Sequence, residues 1–266
     1  MSSRPHEYST ITVERRNNGV AILTLNRPDA LHALNSAMAN ELVRQFSDWV
    51  VDTNLRCIVI TASGFRAFCV GADLKERNRL DENGVRRQHA LFRLFLTIRQ
   101  NLDVPVIAAV QGVALGGGTE IALASDIVLA ADSAEFGLPE IGLGIMPGLG
   151  GTQFLPRITG RSRALEMMLT GERINAEEAL ECGIVSRIFP REELLSRALE
   201  SAEQIAGMPP LAVRSIRRAV QLGGELDLNS GLAYELALHQ RLMASEDGAE
   251  GVRAFVEKRP PTWRNR

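Results

Sequence analysis

Two glutamates, Glu120 and Glu140, stand beside the two richest concentrations of glycine in the chain. The first is Gly112-Val-Ala-Leu-Gly116-Gly117-Gly118-Thr119-Glu120 and the second is Gly142-Leu-Gly144-Ile-Met-Pro147-Gly148-Leu-Gly150-Gly151-Thr152, just after Phe136-Gly137-Leu138-Pro139-Glu140. Paired carboxyls can move protons, because mutual repulsion in a partly dry site separates their apparent pKa values and leaves one charged while the other holds its proton. Glycine at the start of a helix leaves backbone N–H groups uncovered, and the helix dipole adds partial positive charge there. Together these features suit proton transfer next to a carbonyl whose oxygen gains negative charge. Glutamate early in a helix also has a purely structural use, as a partner of the helix dipole. A third segment, Phe68-Cys-Val-Gly71-Ala72-Asp73-Leu74-Lys75-Glu76, offers another amide where a loop passes into a helical run.

The elements that must position these residues follow from the hydrophobic period. Thr10–Glu14 and Val20–Leu25 alternate as strands about an Asn17-Asn18-Gly19 turn, and Ser36 is the expected cap of a helix through Met38, Leu42, Phe46 and Trp49. Cys57–Thr61, Val104–Val110 and Asp126–Ala131 read as strands, with a long helix over Val85–Leu102. Strands alternating with helices predict an α/β fold with a mainly parallel sheet and a ligand beyond its carboxyl ends. After about residue 190 four helices follow: Glu192–Ile205, Pro210–Leu222, Leu226–Ala244 and Gly248–Val256. Leu226, Leu228, Leu232, Leu236, Leu238, Leu242 and Met243 exceed a single apolar stripe, so this tail is suited to packing within the chain or against a second subunit.

Composition removes several function classes. The chain has 266 residues, a net charge of −2 and 45% hydrophobic content, enough for a full core. Only Lys75 and Lys258 are lysine, and neither follows P-loop spacing or lies in an apolar run suited to a Schiff base. Neither glycine-rich stretch keeps dinucleotide spacing. The near-neutral charge gives nucleic acid no electrostatic footprint. Three cysteines without CxxC spacing predict no disulfide framework or zinc site and a reducing, cytoplasmic setting. No apolar stretch approaches the roughly 20 residues that span a bilayer, and Met1–Glu7 has no leader-like apolar core. A serine hydrolase lacks GxSxG, and His6, His32, His89 and His239 all fall outside the glycine-rich segments. His32 reads as a loop or pocket-wall residue. A glycosidase built on the two glutamates would have only two tryptophans and two tyrosines for sugar stacking.

Four ordered motifs now carry a resemblance: Phe68-x-x-Gly71-Ala72-Asp73-Leu74, Gly112-x-Ala114-x-Gly116-Gly117-Gly118-x-Glu120, Phe136-Gly137-x-Pro139-Glu140 and Pro147-Gly148-x-Gly150-Gly151-Thr152. With Leu169-Thr-Gly171, Ala176-x-x-Ala179 and the Glu257-Lys258-Arg259-Pro260 end, the chain resembles the crotonase family over its full length, in the enoyl-CoA hydratase branch. The resemblance implies a spiral of β-β-α units over residues 1–195 holding an acyl-CoA site, and a helical trimerisation segment over 196–266. It implies that the amides of Ala72 and Gly117 hold the thioester oxygen, that Glu120 activates water for Cβ, that Glu140 delivers a proton to Cα, and that the Gly148 amide helps place the water.

Coenzyme A would enter as part of the substrate, with no permanently bound cofactor or metal. Its grip is expected from Arg27, Ala30 and Leu31, from Ala72, Asp73, Leu74 and Lys75, from Gly117, and from Lys258 of a neighbouring subunit. Asp29 stands where relatives often carry a basic residue, so Arg27 or other groups would meet the phosphates, and Trp263 is placed to pack near adenine. Residues 77–98 are expected to wall the acyl pocket. A homotrimer or a hexameric dimer of trimers is implied. The resemblance also admits a Δ3,Δ2-enoyl-CoA isomerase, another acyl-CoA lyase or hydrolase, and an RNA-binding homologue, the last opposed by the composition.

Overall fold

The computed structural model describes residues 7–266; Met1 to His6, where no leader is expected, lie outside them. The predicted hairpin forms from β1 (Ile11–Arg15) and β2 (Val20–Leu25), antiparallel with Ile11 opposite Leu25. Helix α1 (Ser36–Val50) is capped by Asn35 and not by Ser36. Asn35 holds extended backbone, so its side chain reaches back to the Met38 amide at 2.9 Å, whereas Ser36 is already helical. Next come β3 (Cys57–Ala62), β4 (Ala67–Cys69), α2 (Leu74–Arg77) and α3 (Glu82–Gln100). The Asp81 carboxylate accepts from the Gly84 amide at 2.6 Å and starts α3 before Val85.

The chain then runs through β5 (Val106–Val110), β6 (Val113–Leu115), α4 (Gly117–Leu123), β7 (Ile127–Ala131) and β8 (Glu135–Gly137). A 3₁₀ turn over Pro139–Leu143, α5 (Gly151–Thr159), α6 (Arg161–Thr170), β9 (Arg173–Asn175), α7 (Ala176–Glu181) and β10 (Arg187–Phe189) complete the core. Helices α8 (Arg191–Ala206), α9 (Pro210–Gly223), α10 (Leu228–Met243) and α11 (Glu246–Glu257) close the chain, with no strand among them.

Two sheets share these strands, in the orders β1-β2-β3-β5-β7-β10 and β4-β6-β8-β9. Each successive turn of chain gives one strand to each sheet: β3 then β4, β5 then β6, β7 then β8. Within both sheets those strands pair in parallel. This is the β-β-α spiral. The apolar runs of β3 and β5 are buried along their whole length, as strands covered on both faces must be. One face packs Leu23, Ile58, Val106 and Phe136 with α1; the other packs Cys57, Val59, Ile107 and Leu129 with α8.

The expected division at 195/196 falls inside α8, whose Leu194, Ala198 and Ala202 are buried against the six-stranded sheet. The tail is fastened to the core by charge. The Asp126 carboxylate, just before β7, accepts from Arg99 at 3.0 Å, from Arg217 of α9 at 3.0 Å and from the Val106 amide at 2.8 Å. Beyond that anchor the tail is apolar outward, with Val220, Leu228, Leu232, Leu236 and Phe255 all exposed. Among the described residues no helix is long and apolar enough to cross a membrane.

Candidate active site

The β6–α4 turn is built for close approach. Gly116 takes φ +51, a left-handed conformation that favours glycine, and α4 begins at Gly117 without a side-chain cap. Gly118 lies so near β4 that a Cβ there would sit 2.0 Å from the Cys69 carbonyl oxygen. That contact brings the Gly71-Ala72 loop against the start of α4, where a Cβ on Gly71 would fall 3.2 Å from the Gly117 nitrogen. Leu34 clasps the same loop, its amide donating to Gly71 O at 2.7 Å and its carbonyl accepting from Asp73 N at 2.9 Å. Between those bonds the Ala72 amide is left over. Among the described residues neither it nor the Gly117 amide donates to a protein acceptor, so two free N–H groups from adjacent turns border one cleft.

That cleft, about 910 Å3 counting its open mouth, holds Ala72, Gly117, Glu120, Glu140 and Gly148 in its wall. Glu120 is 2% exposed. Its Oε1 accepts from the amides of Leu149 at 2.6 Å and Gly151 at 2.8 Å, and the Gly148 amide approaches the same carboxylate. Burial pushes its pKa up to about 7; those amides oppose the rise and the nearby Glu140 carboxyl adds to it. Glu140, at the start of the 3₁₀ turn, has its Oε1 against Gly116, where a Cβ would come within 2.9 Å. Its buried Oε2 meets no partner among the described residues, and burial raises its pKa.

Apolar side chains complete the cleft: Leu34, Leu74, Val85 and Phe92 on one side, Leu143, Ile145, Met146 and Leu149 on the other. Arg77, Val85, Gln88, His89 and Phe92, all from the 77–98 segment, line this space. His89 is remote from the glycine motifs in sequence, so nothing local marks it as a cleft residue. Its Nε2 lies where a Cβ on Gly148 would come within 2.7 Å, a juxtaposition made only by the packing of α3 over the Gly148 loop. The holding of Glu120 by the Leu149 and Gly151 amides was likewise unseen; the left-handed Gly150 ahead of α5 was its one signal.

The residues expected to grip coenzyme A divide. Asp73 caps α2 through the Lys75 and Glu76 amides at 3.1 Å and pairs with Arg27 at 2.9 Å. Burial raises its pKa, but the Glu76 amide and Arg27 outweigh that and leave it below the usual carboxylate range. Arg27 also donates to the Ala33 carbonyl, so two of its guanidinium nitrogens are engaged with the protein. Through these bonds Arg27 steadies the loop that presents Ala72. Ala30 ends a 3₁₀ turn and Leu31 and His32 follow at φ +49 and +57. His32 is 2% exposed; its Nδ1 accepts from the Arg27 amide at 3.0 Å, so Nε2 donates to Ser63 O at 2.9 Å. Burial first, then the Arg27 charge, lowers its pKa and keeps it a neutral fastener.

Lys75 is exposed beside the cleft, and Lys258 ends α11 in a left-handed conformation outside the cleft wall. Trp263 is half-buried: Nε1 donates to Gly207 O at 2.9 Å and its ring lies beside Gly251. Burial pushes the thiols of Cys57 and Cys69 up to about 12, which suits neither to nucleophilic attack.

Free amide pairs and a glutamate pair around one apolar cleft agree with the comparisons to known proteins. The family model described as enoyl-CoA hydratase/isomerase matches residues 15–266. The chain belongs to that family. It is 44% identical over 255 residues to the 2,3-dehydroadipyl-CoA hydratase of Escherichia coli, covering 94% of this chain and 97% of that one. It is 37% identical over 253 residues to the short-chain-enoyl-CoA hydratase of Clostridium acetobutylicum, covering 95% and 97%. An enoyl-CoA hydratase structure from Bacillus anthracis superposes with a TM-score of 0.94 at 41% identity, covering 97% of this chain and all of that one.

Proposed function

We propose that the protein is an enoyl-CoA hydratase, adding water in the syn sense across the 2,3 double bond of an enoyl-CoA thioester to give a 3-hydroxyacyl-CoA. The observation that carries this reading is the pair of glutamates held differently over one apolar cleft, next to two amides without protein acceptors.

The thioester oxygen lies between the Ala72 and Gly117 amides. Charge developing on that oxygen as the enolate forms is stabilised there, and loss of one such donor typically costs about 3–4 kcal/mol of barrier. Glu120, oriented by the Leu149 and Gly151 amides, takes a proton from water as the oxygen bonds to Cβ. Glu140 gives its proton to Cα. Burial raises both carboxyls, but three amides hold back the rise at Glu120 and keep its charged form accessible near neutral pH, whereas the unpartnered Oε2 of Glu140 has no such donor and suits a protonated carboxyl. The scheme uses no resident cofactor; coenzyme A arrives and leaves with the acyl group, gripped at the rim by Ala30, Leu31, Leu74 and Lys75, with Lys258 supplied by a neighbouring subunit.

A trimer or a dimer of trimers covers the apolar faces of α9, α10 and α11, and the three free cysteines suit a cytoplasmic setting. The test is loss of the conjugated-thioester absorbance of crotonyl-CoA. Wild type consumes it and both Glu120→Gln and Glu140→Gln fail to. An isomerase would instead convert a 3-enoyl thioester and keep that activity in Glu120→Gln. An RNA-binding homologue would do neither.

A further inference from the structure

Hydration fixes where the thioester and the double bond lie but leaves the far end of the acyl chain open. The wall that meets it is apolar except at a few points, and one of those is a permanent cation. Arg77 closes α2, is half-buried, and shares the cleft wall with Val85, Phe92, Leu143 and Met146. Among the described residues its guanidinium makes no hydrogen bond or ion pair. Three other sheltered arginines are matched, Arg27 on Asp73 and Arg99 and Arg217 on Asp126; Arg56 and Arg214 also keep a buried nitrogen without a partner, but neither lines the cleft. The acids near Arg77 in sequence are already taken. Glu76 accepts from the Ser36 amide at 2.8 Å and Gln88 at 2.5 Å, and Glu82 pairs with Arg86 at 2.6 Å.

A guanidinium drawn partly out of water without an anion carries a desolvation cost that an incoming carboxylate would offset, and its planar fork matches a carboxylate with two parallel bonds. Such a tail also needs a counter-charge here, since Glu120 and Glu140 would otherwise repel it from the same cleft. The coenzyme phosphates are the other anions in reach of this surface. Lys75 and Arg77, two positions apart on a helical turn, point about 200° apart. Lys75 faces solvent, while Arg77 shares the cleft-facing side with Leu74, three positions before it. We infer that Arg77 reads the distal end of the substrate, and that the favoured substrates are 2-enoyl-CoA thioesters whose acyl chain ends in a carboxylate.

This rests on the hydratase reading and is tested separately from it. The full-length enzyme, Arg77→Met and Arg77→Lys are assayed on trans-2-hexenoyl-CoA and on the six-carbon trans-2-enoyl-CoA that ends in a carboxylate. Wild type is expected to favour the acid-tailed thioester in kcat/KM. Arg77→Met should lower the ratio of the two substrates about tenfold to hundredfold, with Arg77→Lys recovering part of it. A ratio unmoved by Arg77→Met overturns the inference, as does an equal loss on both substrates, which is the mark of a grip on coenzyme phosphate. A wild-type preference for the neutral tail also overturns it. If wild type hydrates neither thioester, the hydratase reading itself fails.

Discussion

The two glutamates sit on opposite kinds of ground. Glu120 belongs to a short helix buried over every residue, reached through a glycine turn with no spare volume. Glu140 belongs to a 3₁₀ turn whose following residues, Ile141 to Met146, are all exposed. Gly118 meets a backbone oxygen at 2.0 Å if given a Cβ, whereas Gly142 meets nothing within 4 Å. The base is held by a tight frame in which the Leu149 and Gly151 amides fix its Oε1; the acid stands where the chain is loosely covered and keeps Oε2 without a partner. A group that must orient a water gains from fixed geometry, and a group that must hand over a proton gains from an unpaired oxygen in a dry place.

The sharpest way to break this comparison is to remove each carboxyl. Glu120→Gln and Glu140→Gln should each lower kcat by about 10²–10⁴, and the double variant should fall little below the worse single one, because the pair acts as a unit. Steady-state rates on crotonyl-CoA check this; additive losses would mean two independent roles. Next is Gly118→Ala, whose methyl would force β4 away from α4 and with it the Ala72 amide from Gly117. A loss of about 3 kcal/mol or more is expected, read as a lowered Tm with lost activity. Gly142→Ala, on the open ground after Glu140, should stay within about 0.5 kcal/mol.

Much of this contrast was legible in the chain and part was not. The four motifs marked Ala72, Gly117, Glu120, Glu140 and Gly148, and all five meet in one cleft. The hairpin, the parallel strands and the four closing helices followed from hydrophobic period alone, because long buried runs such as Ile58–Ala62 and Val106–Val110 leave few alternatives. The second sheet did not, since β4, β6, β8 and β9 are three residues each and carry no readable alternation. Asn35 took the cap from Ser36 because capping depends on which residue still holds extended backbone. The pairing of Arg27 with Asp73, 46 positions later, has no local signal and is made only by the fold. His89 reached the cleft the same way, by packing between elements far apart in sequence.

A last prediction probes Glu120 without substrate, through stability. Its carboxyl is raised from 4.5 to about 7 in the folded protein, chiefly by burial. A raised pKa means the fold favours the protonated form. The contribution of this group is therefore fully present below pH 4.5 and is lost as pH climbs through 7. Glu120→Gln keeps an oxygen for the Leu149 and Gly151 amides while removing the charge, so it should be more stable than wild type at pH 8, by up to about 3 kcal/mol. At pH 4.5 the two should match. Thermal unfolding at both values checks this, with a Tm gain of several degrees expected only at pH 8. Glu140, less enclosed, should show the same sign with a smaller gain in Glu140→Gln. Equal gains would mean that the loosely covered turn shields its carboxyl as fully as the glycine frame does, and the contrast between the two glutamates would then rest on hydrogen bonding alone.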